Sequence, residues 1–238
     1  MNRHEPTITV PWMRAGTNLV VGAVTAMSDE ALVAPSALPD WSRAHVVAHL
    51  SRNAEALVRL VHWAATGEVT PMYPNLDSRT ADIEATAKEP PDVLRRELSA
   101  TAALLEERIG ALDDRGLHAT VRSALGREMP AVEIPWMRVR EVWLHAVDLG
   151  AGTTAAQFPQ ALLVELLDDV AGVVGAKPDC PPVLLRATDS EDRWTLGPEE
   201  ERTEVSGTLA DLTGWVSGRG DSGLTTATGS LPGLPPWI

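Results

Sequence analysis

Residues 141–150 read EVWLHAVDLG and set Glu141, His145 and Asp148 at spacings of four and three in an otherwise apolar run. At 3.6 residues per turn the three fall on one face of a helix, while Val142, Trp143, Leu144, Ala146, Val147 and Leu149 cover the rest. A helix apolar over most of its circumference is buried, and an unpaired charge taken out of water costs on the order of several kcal/mol. The stripe therefore predicts a second polar surface facing it.

Residues 45–54, HVVAHLSRNA, supply that surface: His45, His49 and Arg52 or Asn53 recur at helical spacing, flanked by Val46, Val47, Ala48 and Leu50. Two such helices facing each other predict a bundle with a polar seam, a common place to build a metal site. Glu141, His145 and one histidine of the other helix offer three N/O ligands, and three protein ligands leave zinc one open position, the catalytic arrangement. The same spacing also arises without a metal, with Arg138 pairing Glu141 and Asp148 orienting His145. His4, His62 and His118 have weaker claims, and His62, sharing a face with Glu55 and Arg59, reads as a surface residue.

Outward from these two segments, the first half of the chain reads as four helices. They cover residues 7 or 10 to 27, 42–66 with Asp40 or Ser42 as N-cap and Gly67 as stop, 91–112 opening on Pro91, and 135–149 closed by Gly150. Gly126 between β-prone stretches predicts a small hairpin before the fourth helix. Residues 67–91 read as a long connection, of the kind that often covers a site. The character changes at GAGTTAAQFPQ, which places a domain boundary near residue 153: a helical bundle over 1–153 and a smaller α+β domain over 154–238. The second domain is expected to hold a helix over 159–174, strands at 183–187, 193–196 and 203–207, and a helix over 208–217 capped by Thr208 and Asp211. A Gly-, Pro- and Thr-rich tail follows.

The 238 residues, 44% hydrophobic, suffice for a real core. A formal charge of -13 and a pI near 4.8 argue against nucleic acid or an anionic membrane as partner. The uncharged stretch after Arg14 is shorter than the ~20 apolar residues a membrane span needs, so the expectation is a cytoplasmic protein. One cysteine, Cys180 in KPDCPP, rules out an internal disulfide and any C-x-x-C motif, and no base is near it in sequence. If sulfur chemistry occurs here, the thiol comes from outside.

Three stretches together, DWSRAHVVAHLSRNAEALVRLVHWAATGEVTPMY (40–73), PWMRVREVWLHAVDLG (135–150) and GRGDSGLTTATGSLPGLPPWI (218–238), resemble the mycothiol-dependent maleylpyruvate isomerase family. The resemblance spans nearly the whole chain. It implies a DinB-like four-helix metal-binding bundle joined to a C-terminal α+β domain similar to sterol carrier protein 2. It implies His49, Glu141 and His145 as metal ligands, zinc or another divalent ion as the metal, mycothiol as cofactor, and Arg219 of GRGDSG as a catalytic arginine. His45 reads as packing or support for the ligands.

The implied reaction is cis–trans isomerisation of maleylpyruvate to fumarylpyruvate in aromatic catabolism. Rotation about a carbon–carbon double bond needs that bond made single; a thiolate adds, the adduct rotates, and elimination regenerates the thiol. A metal would lower the thiol's pKa. The substrate is a dicarboxylate, so an acidic protein needs local cations to hold it: Arg219, with Arg52 or Arg79 as further candidates, since a guanidinium fork matches a carboxylate. Two alternatives stand beside this: a mycothiol S-transferase or thiol-exchange enzyme of detoxification or secondary metabolism, and a non-catalytic zinc-containing small-molecule binding protein.

Overall fold

In the computed structural model, which describes residues 3–227 and 229–237, the chain divides by its internal contacts into two compact units, one running to Gly152 and one from Thr153. The first is built on four long helices: α1 (Pro6–Ala26), α3 (Arg43–Thr66), α5 (Pro91–Gly110) and α7 (Ile134–Asp148). Between them stand three short ones, α2 (Asp29–Val33), α4 (Leu76–Thr86) and α6 (Asp114–Leu117). The long helices close a ring, α1 packing on α7 and α5, and α3 on α5 and α7.

Local chemistry explains where the ring helices begin and end. The Ser42 side chain accepts from the His45 amide and the His45 ring nitrogen Nδ1 accepts from the Ser42 amide, a reciprocal cap that starts α3. Gly67 ends it in the left-handed conformation at φ 80°, which a side chain would disfavour. Pro91 occupies the first turn of α5, where a missing N–H costs nothing. The last carbonyls of α7 are satisfied from α3: Arg43 Nε donates to Leu149 O at 2.6 Å and Nη2 to Gly150 O at 3.3 Å. Where α1 crosses α7 the backbones come close, because a Cβ on Gly16 would lie 2.5 Å from Val142 Cγ2. Trp143 Nε1 donates to Trp12 O at 2.9 Å across the same contact.

The expected hairpin is present, β1 (Thr120–Arg122) pairing antiparallel with β2 (Glu128–Pro130) around Gly126. The long connection over 67–91 is not bare loop. Asn75 accepts from the Ser78 amide at 2.7 Å and starts α4, which the sequence reading did not anticipate.

The second unit carries α8 (Gln160–Gly175), β3 (Val183–Ala187), β4 (Arg193–Leu196), β5 (Thr203–Gly207), α9 (Leu209–Val216) and β6 (Thr225–Thr226). Its sheet has the order β4-β3-β5-β6, with β3 and β5 parallel and the outer pairs antiparallel. Val183, Leu185, Leu196 and Val205 are buried, and α8 and α9 pack against these strands. The α9 start is the predicted box, Thr208 and Asp211 exchanging hydrogen bonds. The mixed architecture, helical first unit and α+β second unit, is the one read from the sequence. Among the described residues no helix is long and apolar enough to cross a membrane.

Candidate metal centre

The two polar stripes meet. His49, on the buried face of α3 at 4% exposure, places Nε2 2.8 Å from Glu141 Oε2 of α7. One turn further along α7, His145 Nε2 lies 3.3 Å from the same oxygen, and the two imidazole rings stand edge to face at 4.7 Å. One ligand atom from each of His49, Glu141 and His145 lies within 4.8 Å of the others. Two imidazole nitrogens and a carboxylate oxygen converging on one point suit zinc or a similar divalent ion. His145 Nδ1 is tied to Asp148 Oδ2 at 2.8 Å, which fixes the ring and turns Nε2 toward the cluster.

Electrostatics sort the protons. Burial pushes the Glu141 carboxyl up, but His49 and His145 outweigh it and hold it well below the usual carboxylate range. Burial likewise opposes charge on His145, yet the bonds to Asp148 and Glu141 prevail and its pKa is raised. For His49 burial dominates over Glu141, and its pKa is lowered. Without a metal, a proton in the cluster is therefore favoured on His145 over His49, with Glu141 held toward its carboxylate form.

Arg79 sits 3.2 Å, through Nη2, from His49 Nδ1. A guanidinium only donates, so Nδ1 accepts and the neutral ring carries its proton on Nε2, toward Glu141. The Arg79 guanidinium also lies over the Tyr73 ring, 5.9 Å from its centroid. Burial raises the Tyr73 pKa, so the phenol is a neutral hydrogen-bond donor.

Other candidates fall elsewhere. Arg52 is held by carboxylates, Glu97 at 2.6 Å and Glu55 at 3.2 Å, so its fork is committed away from the trio. Arg138 does not form the hydrogen-bonded pair with Glu141 that its spacing allows. Its side chain is fully buried, and Nη1 donates to Leu50 O and Asn53 Oδ1, both at 2.8 Å, bracing α7 against α3. Burial lowers its pKa to about 10, against the pull of Glu141, so it remains a cation at neutral pH. His45 stays in its capping role, Nδ1 2.7 Å from Ser42 Oγ, with Nε2 3.5 Å from Glu84. His62 is half-exposed beside Glu68.

In the second unit Arg219 lies between Gly218 and Gly220, both at positive φ, and Nη1 donates to Ser217 O at 2.8 Å. Cys180 is buried, and both burial and Asp179 push its thiol up, away from the reactive thiolate.

Sequence reasoning missed Trp41, Tyr73 and the bracing role of Arg138. Trp41 had a signal, standing four and eight residues before His45 and His49; its ring contacts both imidazoles, at 6.1 and 5.7 Å. Tyr73 had none, because α4 brings its neighbourhood to the site only in three dimensions.

Residues 13–150 match the family model described as mycothiol maleylpyruvate isomerase N-terminal domain, and residues 157–236 match that of the C-terminal domain of the same family. No curated protein matches the chain. Among solved structures, a mycothiol-dependent maleylpyruvate isomerase is 33% identical, with a TM-score of 0.95 over 100% of both chains. A histidine-to-alanine mutant of a mycothiol-dependent maleylpyruvate isomerase gives 32% identity and the same TM-score and coverage.

Proposed function

The chain belongs to the mycothiol maleylpyruvate isomerase family, and on that premise we propose that it is a cytoplasmic, mycothiol-dependent isomerase converting maleylpyruvate to fumarylpyruvate. The observation that carries the reading is the convergence of His49, Glu141 and His145 within 4.8 Å in a bundle of this family. These three would hold a divalent ion, zinc by donor type, and such an ion would supply the Lewis acidity that lowers the pKa of a thiol.

The chain's own residues do the rest. Asp148 orients His145 through Nδ1, and Arg138 with Asn53 holds α3 and α7 in register, so the trio is set before anything binds. Were His49 to ligate through Nε2, its ring proton would sit on Nδ1 against the Arg79 donor, and the guanidinium would be free to take a substrate carboxylate. Tyr73 beside it offers a hydrogen bond to an oxygen that gains charge as sulfur adds to the conjugated alkene. The same reading assigns residues 1–153 and 154–238 as domains and gives Arg219, from the second, the grip on the other carboxylate.

The test is to supply maleylpyruvate with mycothiol at a tenth of its concentration, about ten substrates per thiol. An isomerase turns over all the substrate and returns the thiol. Consumption of one thiol per substrate identifies an S-transferase instead and overturns the reading.

A further inference from the structure

A hollow of about 600 Å³ opens in the bundle beside the trio, walled by the segment joining α2 to α3 and by the first turn of α3. Pro35, Leu38, Pro39, Asp40, Trp41 and His45 form much of its lining. Trp41 belongs to both places. The indole that lines the hollow also touches His49, at 5.7 Å between ring centroids. A molecule lying on that indole is thus one side chain away from the ligand cluster.

The wall is built, not slack. Ser36 N and Oγ both donate to Trp41 O at 2.9 Å, and Ser36 Oγ accepts from the Leu38 amide at 3.1 Å. The Ala37 amide donates to Asp148 O at 2.8 Å, anchoring the segment to the end of α7. Asp40 is the one described non-glycine residue at positive φ, 62°, and its exposed carboxylate has no side-chain partner among the described residues. A residue held in that conformation is maintained by its surroundings.

The chemistry of the lining selects its occupant. It contains a carboxylate and no lysine or arginine, in a chain of formal charge -13, so a dicarboxylate is repelled. An indole face beside a carboxylate and proline edges suits a ring whose C–H face stacks while its hydroxyls donate, that is, a sugar or cyclitol. Mycothiol is such a molecule, an N-acetylcysteine carried on a glucosaminyl-inositol. We propose that this hollow seats the sugar–cyclitol body of the thiol, with Trp41 as its stacking platform, while the substrate is held by the cationic residues on the Arg79 side. The inference rests on the thiol-dependent function above and adds the place where that thiol is recognised.

Two variants and two thiols test it. Trp41→Ala removes the platform, and Ala37→Trp, at an exposed position on the wall, fills the hollow. The quantity read is kcat/KM with mycothiol divided by kcat/KM with N-acetylcysteine, together with metal content. That ratio falls about tenfold in both variants, the scale of one lost aromatic contact. Calorimetry with sulfur-free glucosaminyl-inositol shows binding to the parent protein and none to Ala37→Trp. An unchanged ratio in Ala37→Trp, or no binding of glucosaminyl-inositol to the parent, overturns the inference. A parent that lacks thiol-dependent turnover but binds glucosaminyl-inositol would remove the isomerase reading and keep the site.

Discussion

In the bundle the buried polar side chains include His49, Arg138 and Asp148, at 4%, 1% and 1% exposure; in the second unit they are Glu165, Thr213 and Ser217. Among these, hydroxyls and the groups of the α3–α7 seam are satisfied differently. Thr213 Oγ1 donates to Leu209 O and Ser217 Oγ to Gly214 O, within their own helix, so the hydroxyls cost the fold little. His49 and Arg138 instead reach across from one helix to another, and Asp148 fixes a ring that does so. Burying such groups is expensive unless each finds its partner, and the α3–α7 seam collects them in one place. Chemistry is to be sought where polar groups are buried against packing economy.

The strongest test of that contrast is removal of a ligand. His145→Ala or His49→Ala should bring bound metal close to zero by elemental analysis and abolish turnover, with helical circular dichroism retained. A metal-free variant with parental activity would break the contrast outright. Next comes Arg219→Ala, which probes whether the second unit takes part at all. Loss of a desolvated carboxylate contact predicts a fall in kcat/KM of roughly 30- to several thousandfold with metal retained, and partial recovery in Arg219→Lys. Parental kinetics in Arg219→Ala would confine the chemistry to the bundle.

A smaller effect is expected from the group behind the ligand. Asp148→Asn should weaken metal binding by about 10- to 100-fold, measured by competition with a chelating dye. The pH dependence follows from His145. Its folded pKa is raised, so in the metal-free protein the stability it contributes is fully present below its unfolded value and is lost as pH rises through the folded one. A metal must displace that proton. Apparent affinity should therefore decline by about tenfold per pH unit on acidification, starting above the ordinary histidine range. In Asp148→Asn that onset should move to lower pH, because the carboxylate charge that favours the protonated ring is gone. An onset unaltered by the substitution would detach Asp148 from the site.

The least effect belongs to Cys180→Ser, where turnover with external thiol should stay near parental, since the native thiol is buried and its pKa raised. Loss of activity in a folded variant would move sulfur chemistry into the second unit and reverse the comparison.

How much of this was legible beforehand differs by element. The stripes at 45–53 and 141–148 gave the bundle and its seam, because helical periodicity is a local property of spacing. Ser42, Gly67, Pro91, Gly150 and the Thr208–Asp211 pair marked helix ends, because caps act within a few residues. Three of the second unit's strands were read to the residue at 183–187, 193–196 and 203–207, alternation and turns being equally local, while the two-residue β6 in the expected tail was not. The short helix α4 escaped, since a single Asn75 cap on a polar, mostly exposed segment carries no hydrophobic period.

What the sequence by itself determined, then, is which residues share a helix face, where helices stop, and that a buried Glu–His stripe demands a partner. Only the tertiary structure decided which groups answer that demand. Arg138 lies three residues from Glu141 and so within reach of it, yet its bonds go to Leu50 and Asn53. Arg52 stands one turn from His49 and pairs instead with Glu97, 45 residues away. Arg79, 30 residues from His49, is the cation that reaches it. A guanidinium on a long flexible stem can turn to either side of its helix, and packing and nearby acceptors settle which; spacing fixes where the stem begins and leaves the direction of its head to the fold.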